Sequence, residues 1–146
     1  CRCTPGKVEQ YLGKLSGPLL DRIDLYVEVP ALEYEALSQR PVSESSAALR
    51  TRTTKARALQ TARFGGGPIQ CNAQMDQDAL HAFCVLDDAC QALMKGAFER
   101  MGLTARSYDR ILRVARTIAD LEACGPIQVH HLAEAIQYRA SAYLKR

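Results

Sequence analysis

The sequence lacks a long apolar run, and it lacks the motifs of a self-contained enzyme. No stretch approaches the ~20 apolar residues that a membrane helix needs, and no basic-then-apolar signal segment opens the chain. Gly65-Gly66-Gly67-Pro68 is not followed by Lys-Ser or Lys-Thr, so it is not a phosphate-binding P-loop. No Ser/His/Asp or Cys/His arrangement suggests nucleophilic catalysis. These absences predict a cytoplasmic location, no membrane partner and no phosphate-binding loop in this chain.

The cysteines do not predict a disulfide-stabilised domain. Six cysteines would suit a small secreted scaffold, but 47% of the 146 residues are hydrophobic, which is enough to build a core. Cys84, Cys90 and Cys124 stand among Ala, Leu and Phe, which is typical of buried free thiols. Cys1 and Cys3 could form half of a four-thiolate zinc site, which one such pair cannot close by itself.

Periodicity and capping residues predict a mainly α chain. The predicted helices cover about 5–15, 19–23, 45–64, 76–84, 87–101, 104–124 and 129–144. Residues 24–29 are rich in strand formers and end at Pro30, which predicts one strand. Because a lone strand leaves its backbone groups unpaired, its neighbours are expected in other sequence or in another chain. We therefore predict two parts: residues 1–40, a helix-strand remnant of an α/β core, and residues 41–146, a helical bundle.

Two arginines begin one of the predicted helices. With Thr104 as the N-cap, Arg106 lies in the first turn and Arg110 stands four residues later on the same face. A cation is unfavourable at this end of a helix, whereas an anion is attracted to it. The pair therefore indicates either a bound anion, such as a nucleotide phosphate, or two side chains that point into solvent or pair with a carboxylate.

Arg22 lies between a helical turn and the predicted strand. A guanidinium fixed at the end of a rigid element can stabilise the charge of a phosphoryl-transfer transition state. Because Asp21 and Asp24 flank it, a structural ion pair is the alternative.

Charge elsewhere is unevenly distributed. The helix over 45–64 carries five basic residues that could follow the phosphates of a nucleic acid: Arg50, Arg52, Lys55, Arg57 and Arg63. Arg113 and Arg116 are spaced four residues from Asp109 and Asp120, so both are interpreted as helix-surface ion pairs without chemistry. His130 and His131 are consecutive, so their side chains should point about 100° apart and not share one ion.

Several motifs resemble one protein family. These are residues 1–6, Tyr11, 15–24, 44–46, 56–60, Arg63, 102–103, 110–121 and 131–139. Together they are similar to the magnesium-chelatase-like ComM/YifB family of bacterial AAA+ ATPases. The likeness spans nearly the whole chain and is weakest over residues 66–98.

The resemblance implies a C-terminal fragment of a ring-forming motor, expected to be a hexamer, that uses ATP and Mg²⁺ and acts on DNA. Arg22 then matches the arginine finger, and Arg106 matches the sensor-2 arginine of the helical lid. The basic helix matches the insertion that precedes sensor 2. Cys1 and Cys3 match half of a cysteine-rich segment that could hold zinc with upstream cysteines. Walker A, Walker B and sensor 1 are expected in an N-terminal core of the same protein.

Two other interpretations remain open. The bundle could be a non-catalytic module that binds nucleic acid or protein, with the basic helix on the phosphates. Alternatively, the motor could act on a protein or a metallo-cofactor, because the substrate-facing loops of the family lie elsewhere.

Overall fold

A computed structural model describes residues 3–14, 16–31, 34 and 43–143. The helices in chain order are α1 (Pro5–Leu12), α2 (Gly17–Arg22), α3 (Ser46–Phe64), α4 (Gln77–Phe83), α5 (Asp88–Met101), α6 (Ala105–Leu121) and α7 (Val129–Tyr143), with a 3₁₀ turn over Asn72–Gln74 between α3 and α4. The predicted mainly α bundle is confirmed. The predicted boundary between the two parts, at residues 40 and 41, lies outside the described residues.

Local capping chemistry sets the helix ends. Ser45, Asp76, Asp87 and Thr104 each accept a hydrogen bond from a backbone N–H in the first turn of the helix that they precede. Gly65 ends α3 in the left-handed conformation at φ 57°. Such a φ favours glycine, so this residue provides a sharp stop.

Helix α6 lies at the centre of the bundle. It packs against α7, α3, α4 and the 3₁₀ turn, while α5 packs on α7. The periodic spacing of Ile111, Leu112, Ala115 and Ile118 explains this, because it places all four on the buried side of α6. The core is one contiguous cluster formed by Met75, Ala79, Leu80, Cys84, Cys90, Met94, Ala97, Leu103, Ile111, Leu112, Ala115, Ile118, Ile127, Leu132 and Ala135. Burial raises the pKa of the Cys84 thiol to about 11, so this cysteine is a packing residue.

The strand predicted for residues 24–29 is not formed. Within the described part of the chain, residues 23–31 have no regular secondary structure, so this prediction was wrong here. The Tyr26 N–H donates to the Tyr138 carbonyl in α7 at 2.9 Å, which is a helix contact and not a strand ladder. Val27 and Val29 remain 67% and 84% exposed. The strand-forming composition therefore has no neighbouring strand among the described residues.

The prediction of a surface pair between Arg116 and Asp120 was also wrong. Both residues are buried, at 4% and 1% exposure, and the Arg116 Nε lies 3.2 Å from the Asp120 carboxylate. Spacing of four residues shows that two side chains are adjacent on a helix, but not which way that face points. The expected pair of Asp109 with Arg113 is replaced by other contacts: Asp109 accepts from Gln77 Nε2 and Arg113 donates to the Met75 carbonyl.

No helix in the described ranges is long and apolar enough to cross a lipid bilayer.

Candidate functional site

Arg22 lies on an exposed turn over residues 20–26, which we name the Arg22 turn. It is the last residue of α2, which Ser16 caps, and its own guanidinium donates to the Pro18 carbonyl at 3.1 Å. This bond can be exchanged for an ion pair, because a fully charged phosphate oxygen attracts a guanidinium more strongly than a neutral carbonyl does. Arg22 is therefore placed to meet an anion that approaches from outside the chain.

The backbone of this turn is fixed to the bundle. The Arg110 guanidinium of α6 donates to the Arg22 carbonyl and to the Asp24 carboxylate. The Tyr26 hydroxyl donates to the Leu20 carbonyl, which closes the turn upon itself. The sequence left two alternatives for Arg110, contact with a phosphate or pairing with a carboxylate. In the structure Arg110 pairs with the Asp24 carboxylate.

Arg139 provides a further contact to the turn. No functional role was predicted for this residue. It is 1% exposed and donates to the Ile23 carbonyl and, at 2.8 Å, to the Ser107 Oγ. Its guanidinium carbon also lies 6.0 Å from the centre of the Tyr26 ring. A signal was available, because Leu132, Ala135 and Arg139 share the helical spacing that marks the buried face of α7.

Arg106 stands in the exposed first turn of α6, as predicted. The neighbouring Ser107 is buried, and its backbone N–H donates to the Thr104 hydroxyl at 3.1 Å. Arg106 therefore lies outside the bundle, at the helix end where unpaired N–H groups and the helix dipole attract anions.

A cleft of about 390 Å³ lies between the Arg22 turn, α6 and α7. Its walls combine an apolar floor with the charged groups of Asp24, Arg110, Arg113 and Glu134. The two carboxylates balance the two guanidiniums, so the cleft has no excess positive charge to attract a polyphosphate. Neither Arg22 nor Arg106 lines this cleft.

The basic helix α3 divides into two parts. Arg50, Arg52, Lys55 and Arg57 are exposed, and Arg52 pairs with Glu44 at 3.0 Å. Arg63 instead lies against α6, where its guanidinium donates to both Asp120 oxygens, at 2.8 and 2.5 Å, and to Asn72. A phosphate contact by Arg63 would have to break this arrangement, so the exposed four carry the nucleic-acid prediction.

Asp120 is the centre of a buried polar network. It binds Arg63, Arg116 and the Asn72 amide, while Arg116 also donates to the carbonyls of Cys124 and Gly125. Burial alone would raise the pKa of the Asp120 carboxyl, but the hydrogen bonds and charges of these partners outweigh it and hold the pKa below its ordinary value. The network joins α3, the 3₁₀ turn and the end of α6.

His130 and His131 converge on one carboxylate, contrary to the prediction. Both Nε2 atoms lie 3.0 Å from the same oxygen of Glu122, and these three side chains could in principle hold a metal ion. However, the Gln128 N–H donates to His131 Nδ1 at 3.0 Å, so the proton of the neutral ring is on Nε2. A metal ion would need the Nε2 lone pair. The group is therefore better described as a hydrogen-bonded link between α6 and α7, and its bonds lower the Glu122 pKa.

The predicted zinc ligands are only partly described. Cys1 lies outside the described residues, and Cys3 is an exposed free thiol. Zinc binding by this pair stays a prediction.

Comparison with known proteins agrees with this helical bundle. The family described as magnesium chelatase, subunit ChlI C-terminal, matches residues 43–139, and the family described as magnesium chelatase, subunit ChlI, matches residues 1–37. The chain therefore belongs to the magnesium chelatase ChlI C-terminal family.

Individual relatives extend this likeness over nearly the whole chain. It is 40% identical over 144 residues to the competence protein ComM of Haemophilus influenzae, which covers 98% of this chain and 28% of ComM. It is 40% identical over 140 residues to YifB of Escherichia coli, covering 95% of this chain and 27% of YifB. YifB of Salmonella typhimurium is 39% identical over 140 residues, with 95% and 27% covered. The predicted resemblance to ComM and YifB is confirmed, and the chain spans less than a third of these relatives.

Proposed function

We propose that this chain is the C-terminal part of a magnesium-chelatase-like AAA+ ATPase, and that it completes ATP sites built mainly by other residues. Residues 1–40 would end the ATPase core, and residues 41–146 would form its lid. Arg22 would act as the arginine finger and Arg106 as the sensor-2 arginine. The observation that carries the proposal is the Arg22 turn, whose backbone is tied to α6 and α7 while its side chain remains exposed.

The residues present suit a nucleotide polyphosphate. Arg22 and Arg106 are permanently charged, exposed and located on ordered helix ends, which is what a phosphate-directed guanidinium requires. Mg²⁺-ATP would supply the γ-phosphoryl group, and the two arginines would bind its oxygens and orient it. Since these arginines cannot bind Mg²⁺, the metal ligands are proposed in the N-terminal core, and a ring of identical subunits would bring both halves together.

DNA is the substrate that we propose for the motor. The Haemophilus influenzae relative is named a competence protein, and DNA uptake is what competence requires. A role in branch migration or helicase-type movement follows from the family resemblance.

Zinc held by Cys1 and Cys3 with upstream cysteines remains part of the same proposal.

Replacing Arg106 with alanine tests the lid half of the proposal. In the full-length ATPase we expect ATP turnover to fall about 10²-fold, because one charged donor to the phosphoryl oxygens is lost. Steady-state phosphate release at saturating ATP measures it. Arg100→Ala is the matched control, because Arg100 is an exposed arginine of α5 that donates to its own helix at Gly96. Equal rates for both variants would exclude Arg106 from the site.

A second candidate function rests on α3. Four exposed basic residues along one helix, opposed by Glu44, suit a module that follows nucleic-acid phosphates. This function does not require ATP, and it is compatible with the motor.

Double substitution of Arg50 and Lys55 with alanine tests this second function. We expect weaker binding to duplex DNA and a slope of log K against log salt reduced by about 2, because each basic residue releases about one counterion. Fluorescence anisotropy at several salt concentrations measures the slope. Lys95→Ala, an exposed lysine of α5, is the control and should leave it unchanged. An unchanged slope in the double variant would remove α3 from the DNA interface.

A further inference from the structure

Arg139 binds the backbone next to Arg22 and the side chain next to Arg106, the two arginines proposed to bind phosphate. One of its terminal nitrogens donates to the carbonyl of Ile23, the residue directly after Arg22. The other donates to the hydroxyl of Ser107, the residue directly after Arg106, at 2.8 Å. One planar guanidinium from α7 thus links the Arg22 turn to the first turn of α6.

The surrounding contacts strengthen this link. Tyr138, the residue before Arg139, accepts from the Tyr26 backbone at 2.9 Å, and the Tyr26 ring lies under the Arg139 guanidinium. The Ser107 hydroxyl also accepts from Thr104, the N-cap of α6, at 3.2 Å. Arg139 therefore acts on the two segments through groups that are themselves held in place.

Packing alone does not explain an arginine at this position. Arg139 is 1% exposed, and taking a guanidinium out of water costs several kcal/mol unless its donors are satisfied. A core position that needed only volume would be filled as well by Leu or Met, without this cost. A planar fork of donors can hold two acceptors on different segments at a fixed separation, which an apolar side chain cannot do.

We propose that Arg139 is a positioning residue that fixes Arg22 and Arg106 relative to one another, so that movement of the lid carries both arginines together. This rests on the proposed function of those two arginines. A lysine cannot replace Arg139, because its single ammonium group cannot reach both acceptors in the geometry of the fork. Displacement of about 1 Å at a reacting group can cost about 10²-fold in rate.

Arg139→Lys in the full-length ATPase tests this inference. We expect the turnover number to fall by about tenfold or more, while the Kd for ATP changes less than about threefold, because Arg139 is buried and donates to Ile23 and Ser107. Arg116→Lys is the matched control. Arg116 is also a buried arginine and donates to the Cys124 and Gly125 carbonyls at the opposite end of α6. The control should lower the thermal midpoint and leave the turnover number of folded protein unchanged.

A double variant separates positioning from general damage. If Arg139 acts through the finger, combining Arg139→Lys with Arg22→Ala should cost clearly less than the product of the two single losses. Losses that multiply, or a normal turnover number for Arg139→Lys, would overturn the inference. If Arg139→Lys does not fold, the turnover number of Ser107→Ala tests the inference instead. This substitution removes one acceptor from the link and should lower turnover several-fold with ATP affinity retained, and an unchanged rate would reject the inference.

Failure of this inference can be distinguished from failure of the proposed function. If Arg22→Ala alone leaves turnover intact, the finger assignment is wrong and the inference falls with it. If Arg22→Ala abolishes turnover but Arg139→Lys does not lower it, only the positioning role is wrong.

Discussion

On the proposed function, replacement of Arg22 by alanine in the full-length protein is expected to lower ATP turnover by about 10³–10⁵-fold. Charge accumulates on the γ-phosphoryl oxygens in the transition state, and an arginine finger stabilises that charge more than it stabilises bound ATP. The rate should therefore collapse while the Kd for ATP stays nearly constant. Phosphate release at saturating ATP, and binding of a fluorescent ATP analogue, measure the two quantities.

Arg22→Lys serves as the conservative comparison. It keeps the charge but loses the planar donors, so we expect only partial recovery of the alanine loss. Arg100→Ala again reports on removal of an exposed arginine elsewhere. A loss of less than tenfold for Arg22→Ala would show that Arg22 is a structural residue of the α2 turn.

Asp120→Asn is expected to destabilise the bundle by about 3–5 kcal/mol. The side chain keeps its shape, but the buried Arg116 and the largely buried Arg63 lose their shared counter-charge. For a domain of this size, each kcal/mol lowers the thermal midpoint by roughly 4–8 °C. Urea unfolding followed by circular dichroism measures the free energy. Asp109→Asn on the same helix is the control and should change stability by less than about 0.5 kcal/mol.

The same carboxylate should make the bundle sensitive to acid. Because its partners lower the pKa of Asp120, its contribution is complete above the ordinary carboxyl pKa of about 4 and is lost as the pH falls towards the lowered folded value. Wild type should therefore lose more stability than Asp120→Asn between about pH 5 and pH 3. Equal losses would show that Asp120 is not the acid-sensitive group. If Asp120→Asn lowers the free energy of unfolding at pH 7 by less than about 1 kcal/mol, the result would contradict the buried network.

Helix boundaries with a capping side chain or a glycine stop could be predicted because they depend on neighbouring residues, whereas α1 and α6 end about three residues earlier than predicted, at Leu12 and Leu121. Ser45, Asp87 and Thr104 begin helices through their own side chains, and Gly65 ends one through its own φ. Local residues could not decide whether residues 24–29 form a strand, because strand formation needs a partner at a distance. Without one, the segment takes its hydrogen bond from α7.

The candidate site was only partly predictable for a related reason. Arg22 and Arg106 are predicted site residues that rest on their local positions and on the family resemblance. Arg139 was missed, because a buried arginine is recognised by the acceptors that it reaches, here 116 and 32 residues away in sequence. For Arg63 and Arg116, helical spacing alone could not distinguish a solvated face from the interface with Asp120.

The most direct test of the central claim is trapping of a transition-state analogue by the full-length protein. ADP with aluminium fluoride mimics the charge distribution that an arginine finger stabilises, whereas ADP alone does not. We predict that wild type retains labelled ADP after rapid dilution only when aluminium fluoride is present, and that Arg22→Ala binds ATP normally but retains no ADP. Equal retention by the two proteins would contradict the claim that this chain supplies Arg22 to an ATP site.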